Sequence, residues 1–333
     1  MGARVTIITP CYNGELYLQD YFESILSQTY ENVELVFVND GSTDQTEVIA
    51  NSYRVALEDK GYLFKYVYQE NGGQAKAMNA GFKFMTGKYL MWPDSDDTLA
   101  PDTIEKRVLF LETHPEYDFV RSGGYYFDAD TGKRTSSINF SYYNNPYKTD
   151  IFLDLIEELT FCVPGCYMIK TDMFREIYPE RKIYETDVGQ NWQILIPIAG
   201  RGSCGYINEE QYHVAVHEDS HSRRKRSFAE LERRQKELKK VLEIGISKAN
   251  RSDMDYLKVV DTKYNHVFLR LCIEADKKED AKKYYSLLKK EGELSRNEKG
   301  SYLKKWQPFK YALFNLNNRT KSILRKIMYS KKS

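Results

Sequence analysis

Three carboxylates fall within four residues at Asp94, Asp96 and Asp97, directly after the apolar run 89–92. Gathered at the end of a strand, they repel one another unless a cation offsets them. Mg2+ and Mn2+ suit such a place. They take oxygen ligands and usually bind through one or two carboxylates plus the phosphate oxygens of a substrate. The competing reading is a solvated acidic turn ahead of a helix that Pro101 opens. A second polar cluster, His213, His217, Glu218, Asp219 and His221, holds three of the five histidines. Residues 217–221 match the letters of a zincin motif, but the charged stretch after them offers no packed helix for a protease. The five cysteines, Cys11, Cys162, Cys166, Cys204 and Cys272, are odd in number and contain only one close pair. They argue against both a disulfide scaffold and a zinc site.

The elements that must position these residues alternate. Apolar runs at 5–8, 33–38, 64–69 and 89–92 read as strands. Helical spacing follows at 15–28, 43–59, 74–85 and 101–113. The alternation predicts an α/β fold with a mostly parallel central sheet. Such sheets bind ligands beyond the carboxyl ends of their strands. There the sequence supplies 9–13, 40–44, 69–73 and 94–96, an acidic and amide-rich set. No dinucleotide glycine fingerprint and no phosphate-binding GxxxxGK[ST] loop is present. Further strands are expected at 119–127, 133–139, 167–169 and 206–214, and a helix at 191–198 that Pro197 should disturb. After residue 221 the texture becomes helical and highly charged, with runs at 226–244, 253–260, 264–275 and 280–290. The expected division is therefore 1–222 as one α/β domain and 223–333 as a helical C-terminal region.

Residues 5–97 resemble the nucleotide-binding half of the family 2 glycosyltransferases, the inverting GT-A type. The matching pieces are Thr9-Pro-Cys-Tyr-Asn13, Val38-Asn-Asp-Gly-Ser-Thr-Asp44, Asn71-Gly-Gly-Gln-Ala-Lys-Ala-Met-Asn79 with Gly81, and Asp94-Ser-Asp-Asp97. The resemblance implies a GT-A nucleotide-sugar-binding fold and a nucleoside-diphosphate sugar donor, most often a UDP-sugar. It implies that Asp40 contacts the base, that Thr9 and Pro10 shape the pocket beneath it, and that Asp94 lies near the ribose. Lys76 and Asn79 are nucleotide-side residues or helix surface and packing. Asp96 would ligate Mn2+ or Mg2+ at the diphosphate, with His217 or His221 completing the shell and Arg223 and Arg224 meeting the diphosphate from a closing loop. Asp97 supports this loop or reaches the acceptor.

Inverting transfer is a direct displacement by an acceptor hydroxyl, so a carboxylate should remove its proton while the cation stabilises the departing diphosphate. Relatives commonly carry that base in a Glu-Asp pair opening a helix, preceded by glycine and followed by tryptophan. The match here is Gly189-Gln190-Asn191-Trp192. Amides replace both acids and cannot act as bases at neutral pH. Asp187 is the first candidate to substitute, then Glu185. Gln190, Asn191 and Trp192 remain acceptor-side residues, and Gly165 permits either close sugar approach or a tight turn. Polymerising members of the family carry membrane-spanning helices and a Gln-x-x-Arg-Trp element. This chain has neither, which favours single addition to a lipid-linked or growing cell-surface glycan of bacterial polysaccharide type. The alternative is a non-catalytic glycan-binding or scaffold protein on the same fold. A sugar nucleotidyltransferase would need a basic glycine-rich loop after Ile8 that is missing.

Formal net charge is +1, with 41% hydrophobic and 29% charged residues. The average hides an asymmetry, because residues 296–333 hold eleven Lys or Arg and one acid, Glu298. Trp306, Phe309, Leu313 and Leu316 recur there at helical spacing. A basic amphipathic helix of this kind suits an anionic membrane surface. Docking on the catalytic domain or on a second subunit, as a homo-oligomer, is the alternative. Nucleic acid is not an expected partner, since no recognised module accompanies the basic run. With no signal-peptide pattern and no long apolar stretch, the expected location is cytoplasmic, peripheral at the inner face of the cell membrane.

Overall fold

The computed structural model describes residues 2–138, 145, 147–217 and 226–316. These fall into two compact units, one of the described residues within 1–225 and 240–256, the other of those within 226–239 and 257–333.

In the first unit β1 (Val5–Cys11) and β2 (Val33–Asp40) are buried along their whole length. That is the environment their unbroken apolarity anticipates. Between them α1 (Leu18–Leu26) lays Leu18, Tyr21, Phe22 and Ile25 inward. The single helix expected over 43–59 is two, α2 (Thr46–Ser52) and α3 (Arg54–Asp59). They meet at Tyr53, whose ring stacks on Phe22 at 4.9 Å and whose hydroxyl donates to Glu23. Tertiary packing there overrides local propensity. β3 (Leu63–Gln69) and α4 (Gln74–Phe82) follow. Gly81 lets α4 approach the sheet, since a Cβ at this position would lie 2.4 Å from Ile8 Cγ2.

Next come β4 (Tyr89–Met91), the short β5 (Thr98–Leu99) and α5 (Thr103–Thr113). A hairpin joins β6 (Phe119–Asp128) to β7 (Arg134–Ile138). Then α6 (Phe152–Ile156), β8 (Tyr167–Lys170), α7 (Thr171–Ile177), α8 (Gln190–Ala199) and β9 (Cys204–Val216) complete the sheet and its cover. The nine strands run in the order β3-β2-β1-β4-β8-β6-β9-β5, with β7 on β6. Pairing is parallel from β3 through β4 and between β6 and β9. β8, β5 and β7 are antiparallel to their neighbours. Because β4 stands inside the sheet and β5 at its end, the carboxylate segment 92–97 has to carry the chain from one to the other.

Pro197 lies inside α8 without ending it. The carbonyl that its missing N–H would have engaged is that of Gln193. The Tyr178 hydroxyl donates to that carbonyl instead, so the helix continues to Ala199.

The rest of the described chain is helical, and its residues 240–256 belong to the first unit. α9 (Phe228–Lys248), α10 (Tyr256–Glu274), α11 (Lys278–Glu291) and α12 (Arg296–Trp306) are the C-terminal helices. α10 joins the two runs predicted at 253–260 and 264–275, for no Gly or Pro interrupts 261–263. Leu269, Cys272, Ala281, Leu288, Tyr302 and Leu303 form the buried core of the second unit. Ser295 and Glu298 make a reciprocal capping box at the start of α12. Glu298 also receives His266 at 2.8 Å and Arg270 at 3.1 Å. Trp306 differs from its expected place on an exposed stripe. It packs against this core and donates to Asp276, and α12 ends on it. The chain is helical again over 308–316, where Phe309, Leu313 and Leu316 are exposed. Among the described residues no helix is long and apolar enough to cross a membrane.

Candidate functional site

The loops after β1 and β2 are fastened to each other by reciprocal hydrogen bonds. Asn13 donates its backbone N–H to Ser42 Oγ, and its side-chain oxygen accepts from the Thr43 N–H, both at 2.9 Å. Gly14 N–H donates to Thr46 Oγ1 and Glu15 N–H to Asp44 Oδ2, while Glu15 Oε2 accepts from Gln45 N–H. Burial pushes the Asp44 carboxyl up, but Thr46 and the Glu15 N–H outweigh it and hold it below its ordinary value. Thr9 lies beneath, buried, sharing a hydrogen bond with the Tyr21 hydroxyl, and Pro10 follows it in β1.

Asp40 ends β2 with 3% exposure. It accepts from Gln69 Nε2 at 2.6 Å and from the N–H groups of Gly72 and Gly73 at 2.9 and 2.8 Å. A carboxylate has about four acceptor positions. Asp40 therefore shapes the 69–73 turn and keeps about one position for a ligand. Lys76 is exposed on α4, its stem over Gly72. Asn79 points away from the nucleotide role expected of it. Its amide donates to the Ile183 carbonyl at 3.0 Å and accepts from the Ile183 N–H at 2.8 Å, fixing the 183–185 segment against α4.

The segment 92–97 is braced by β9. The Tyr212 hydroxyl donates to Asp97 Oδ2 at 2.6 Å and accepts from the Asp94 N–H at 3.1 Å. Ala215 N–H donates to the other Asp97 oxygen. Asp97, 3% exposed with both oxygens engaged, supports the loop and does not reach outward to an acceptor. Asp94 Oδ1 accepts from Gln74 Nε2 at 2.8 Å. Burial and then Asp96 push Asp94 up to about 7, against the pull of the Gln74 bond. Burial likewise raises Asp96, offset by its own backbone N–H and by His217. Asp97 is raised by burial and by both neighbouring charges. The three carboxyls thus hold protons more tightly than usual, as groups short of positive charge do.

His217 supplies the remaining polar atom. Its ring packs on Tyr17 at 3.9 Å, and its buried Nε2 has no hydrogen-bond partner among the described residues. His221, Arg223 and Arg224 lie outside the described residues. Among the described residues no three acidic, histidine or cysteine side chains converge as a ready cage. Asp96, with Asp94 and His217 near it, fits an open cation site whose shell a diphosphate would complete.

On the other side of this segment stands the N-terminus of α8. Asn191 Oδ1 accepts from Trp92 Nε1 at 3.1 Å, and Gln190 Nε2 donates to Gln74 Oε1. Trp192 is half-buried. Asp187 is exposed two residues before Gly189. Glu185 is exposed too, ion-paired to Lys182 at 3.0 Å, and that bond holds its carboxyl below the ordinary value. Gly165 lies in the short turn 164–166, the second of its two expected roles. It is buried, and a Cβ there would fall 1.9 Å from the Tyr212 ring.

Sequence reasoning missed Tyr212, Gln74 and Arg107. Arg107 is fully buried and donates to the Gly165 carbonyl, Ser122 Oγ and Gln211 Oε1, with burial pulling it down to about 10. Its signal was legible, for it sits among Ile104, Val108 and Leu111 on the inward face of α5. Gln74 gave no comparable sign.

Comparison with known proteins completes the picture. The model of the family described as glycosyl transferase family 2 matches residues 6–178. Minor teichoic acid biosynthesis protein GgaB of Bacillus subtilis is 31% identical over 225 residues, 65% of this chain and 23% of that protein. The chain spans 26% and 54% of the length of two further curated relatives. Among solved structures, S. aureus TarS 1-349 in complex with UDP-GlcNAc superposes with a TM-score of 0.58 at 17% identity, covering 91% of this chain and 79% of that one. Mannosyltransferase PcManGT from Pyrobaculum calidifontis, in complex with GDP-Man and Mn2+, gives 0.53 at 18%, covering 98% and 88%. At such identities the likeness is one of fold, a curled and mostly parallel sheet of the GT-A kind followed by helices.

Proposed function

Since the chain belongs to glycosyl transferase family 2, we propose that it moves one sugar, with inversion, from a UDP-sugar to a hydroxyl of a lipid-linked or growing cell-surface glycan. The observation that carries this reading is the cluster of buried carboxyls Asp94 and Asp96 after β4, near His217, whose Nε2 has no hydrogen-bond partner among the described residues. UDP-GlcNAc in TarS and the teichoic acid role in the name of GgaB support the donor and acceptor classes. Mn2+ in PcManGT supports the cation.

In this reading the turns at 9–13 and 69–73 receive the nucleoside, with Asp40 offering its open acceptor position to the base and Thr9 and Pro10 forming the floor. Lys76, the exposed cation of α4, faces donor phosphate. Asp94 lies toward the ribose. Asp96 and His217 would hold Mn2+ or Mg2+, which when bound supplies Lewis-acid stabilisation of the departing diphosphate. Asp187, exposed just ahead of α8, takes the proton of the acceptor hydroxyl. Trp192 and the amide hydrogens of Asn191 meet acceptor sugar.

A membrane role belongs to the same proposal. Phe309, Leu313 and Leu316 are exposed over 308–316, in a C-terminal stretch dominated by Lys and Arg. They suit an anionic lipid surface at the inner face of the cell membrane. The alternative, a non-catalytic glycan-binding protein, draws on the amides at 190 and 191. Mn2+-dependent hydrolysis of UDP-sugars, and its loss in Asp96→Ala, separates the two. A wild type that binds no nucleotide and hydrolyses none would leave only the binding module.

A further inference from the structure

The acid pair that family resemblance places at the start of α8 is replaced by amides, and the hydrogen bonds explain one of the two replacements. Asp94 Oδ1 accepts from Gln74 Nε2 at 2.8 Å, and Gln74 Oε1 accepts from Gln190 Nε2. With a cation bound at Asp96 beside it, Asp94 stays ionised and can only accept. Gln74 must therefore turn its NH2 to Asp94 and its oxygen to the other side. What stands on that side must donate, so position 190 needs an amide, and a glutamate there would face the Gln74 oxygen with no hydrogen to give. Asn191 is under no such demand, because its Oδ1 accepts from Trp92 Nε1 as an aspartate oxygen would.

We infer that Gln190 is a positioning residue for the donor side. Through Gln74 it sets the orientation of Asp94, and the pair Gln74–Gln190 ties the first turn of α8 to the end of β4. Gln190 thus acts on nucleotide affinity without touching nucleotide, and the acceptor contact first expected of it falls to Asn191 and Trp192. The inference rests on the UDP-sugar reading for its ligand, whereas the relay itself is a property of the empty protein.

The test uses full-length wild type, Gln74→Ala, Gln190→Ala, the double variant and Gln190→Glu. UDP is titrated calorimetrically with Mn2+ present, and thermal unfolding is followed without ligand. Each alanine variant is expected to weaken UDP binding about 3- to 10-fold, the range of one lost hydrogen bond. The double variant should be no weaker than the worse single one, since both break the same chain. Gln190→Glu should bind UDP more weakly than Gln190→Ala. Unchanged UDP affinity in Gln190→Ala, additive losses, or wild-type affinity in Gln190→Glu would each overturn the inference. If wild type binds no UDP, the donor reading fails, and the unfolding midpoints decide the relay alone. Non-additive shifts support it and additive ones refute it.

Discussion

Removing one oxygen atom at Tyr212 tests how the carboxylate segment is held. The ring of Tyr212 fills the space beside Gly165, so Tyr212→Phe keeps the packing and deletes only the hydroxyl. Two bonds go with it, the one donated to Asp97 at 2.6 Å and the one accepted from the Asp94 N–H at 3.1 Å. A hydrogen bond to a charged group contributes about 1.5–3 kcal/mol and a neutral one about 0.5–1.5 kcal/mol. Asp97 keeps the Ala215 N–H, which limits the damage. The expected destabilisation is about 2–4 kcal/mol. For a domain of this size that lowers Tm by roughly 4–15 °C. The same change should weaken Mn2+-dependent UDP binding, because Asp94 loses the tether on its main chain. Urea titration followed by tryptophan fluorescence gives the stability, and calorimetry gives the affinity. A loss under about 0.5 kcal/mol, the floor for even a neutral bond, with normal UDP affinity would refute the brace.

Asp187→Asn should reduce transfer by about 100-fold or more while leaving UDP affinity intact, as expected of a general base; near-normal turnover would shift the role to Glu185. A third expectation concerns pH. Asp94 is pushed up to about 7 in the folded chain, against about 3.9 when unfolded. Between those values the folded state keeps a proton that the unfolded state has released, so stability drains away as pH rises through that window. In EDTA the stability of wild type should fall relative to Asp94→Asn between these limits, and Mn2+ should flatten the difference; parallel curves would contradict the assigned burial. Finally, full-length protein should float with anionic liposomes and be partly released by high salt, whereas a version ending at Gln307, which keeps α12 whole, should not. Equal behaviour of the two would mean the exposed residues Phe309, Leu313 and Leu316 dock elsewhere.

What could be read from the sequence is what depends on neighbours along the chain. The continuous apolarity of 5–8 and 33–38 announced buried parallel strands, and the clustering of Asp94 and Asp96 announced a place short of positive charge. Long-range partnerships left no such trace. Tyr212 and Asp97 are 115 residues apart, and Gln190 and Gln74 are 116 apart. A lone tyrosine in a strand or a glutamine opening a helix looks the same whether it faces solvent or a buried carboxylate. Pro197 misled for a related reason. The penalty it imposes on a helix is local, but the hydroxyl that relieves it comes from Tyr178 on another element.

The pairing of Asn79 with Ile183 bears on where the first unit can be cut. The family match stops at residue 178, inviting a fragment that ends there. Asn79 has 6% exposure, and its main-chain partner sits five positions past that limit. Such a fragment would leave a buried amide with neither donor nor acceptor satisfied, at a cost of about 1–3 kcal/mol per group. The part of the chain up to residue 178 is therefore not a detachable module. Chimeras that exchange this part have to carry the 183–185 stretch along with α4, and a boundary drawn from sequence similarity alone runs through a joint.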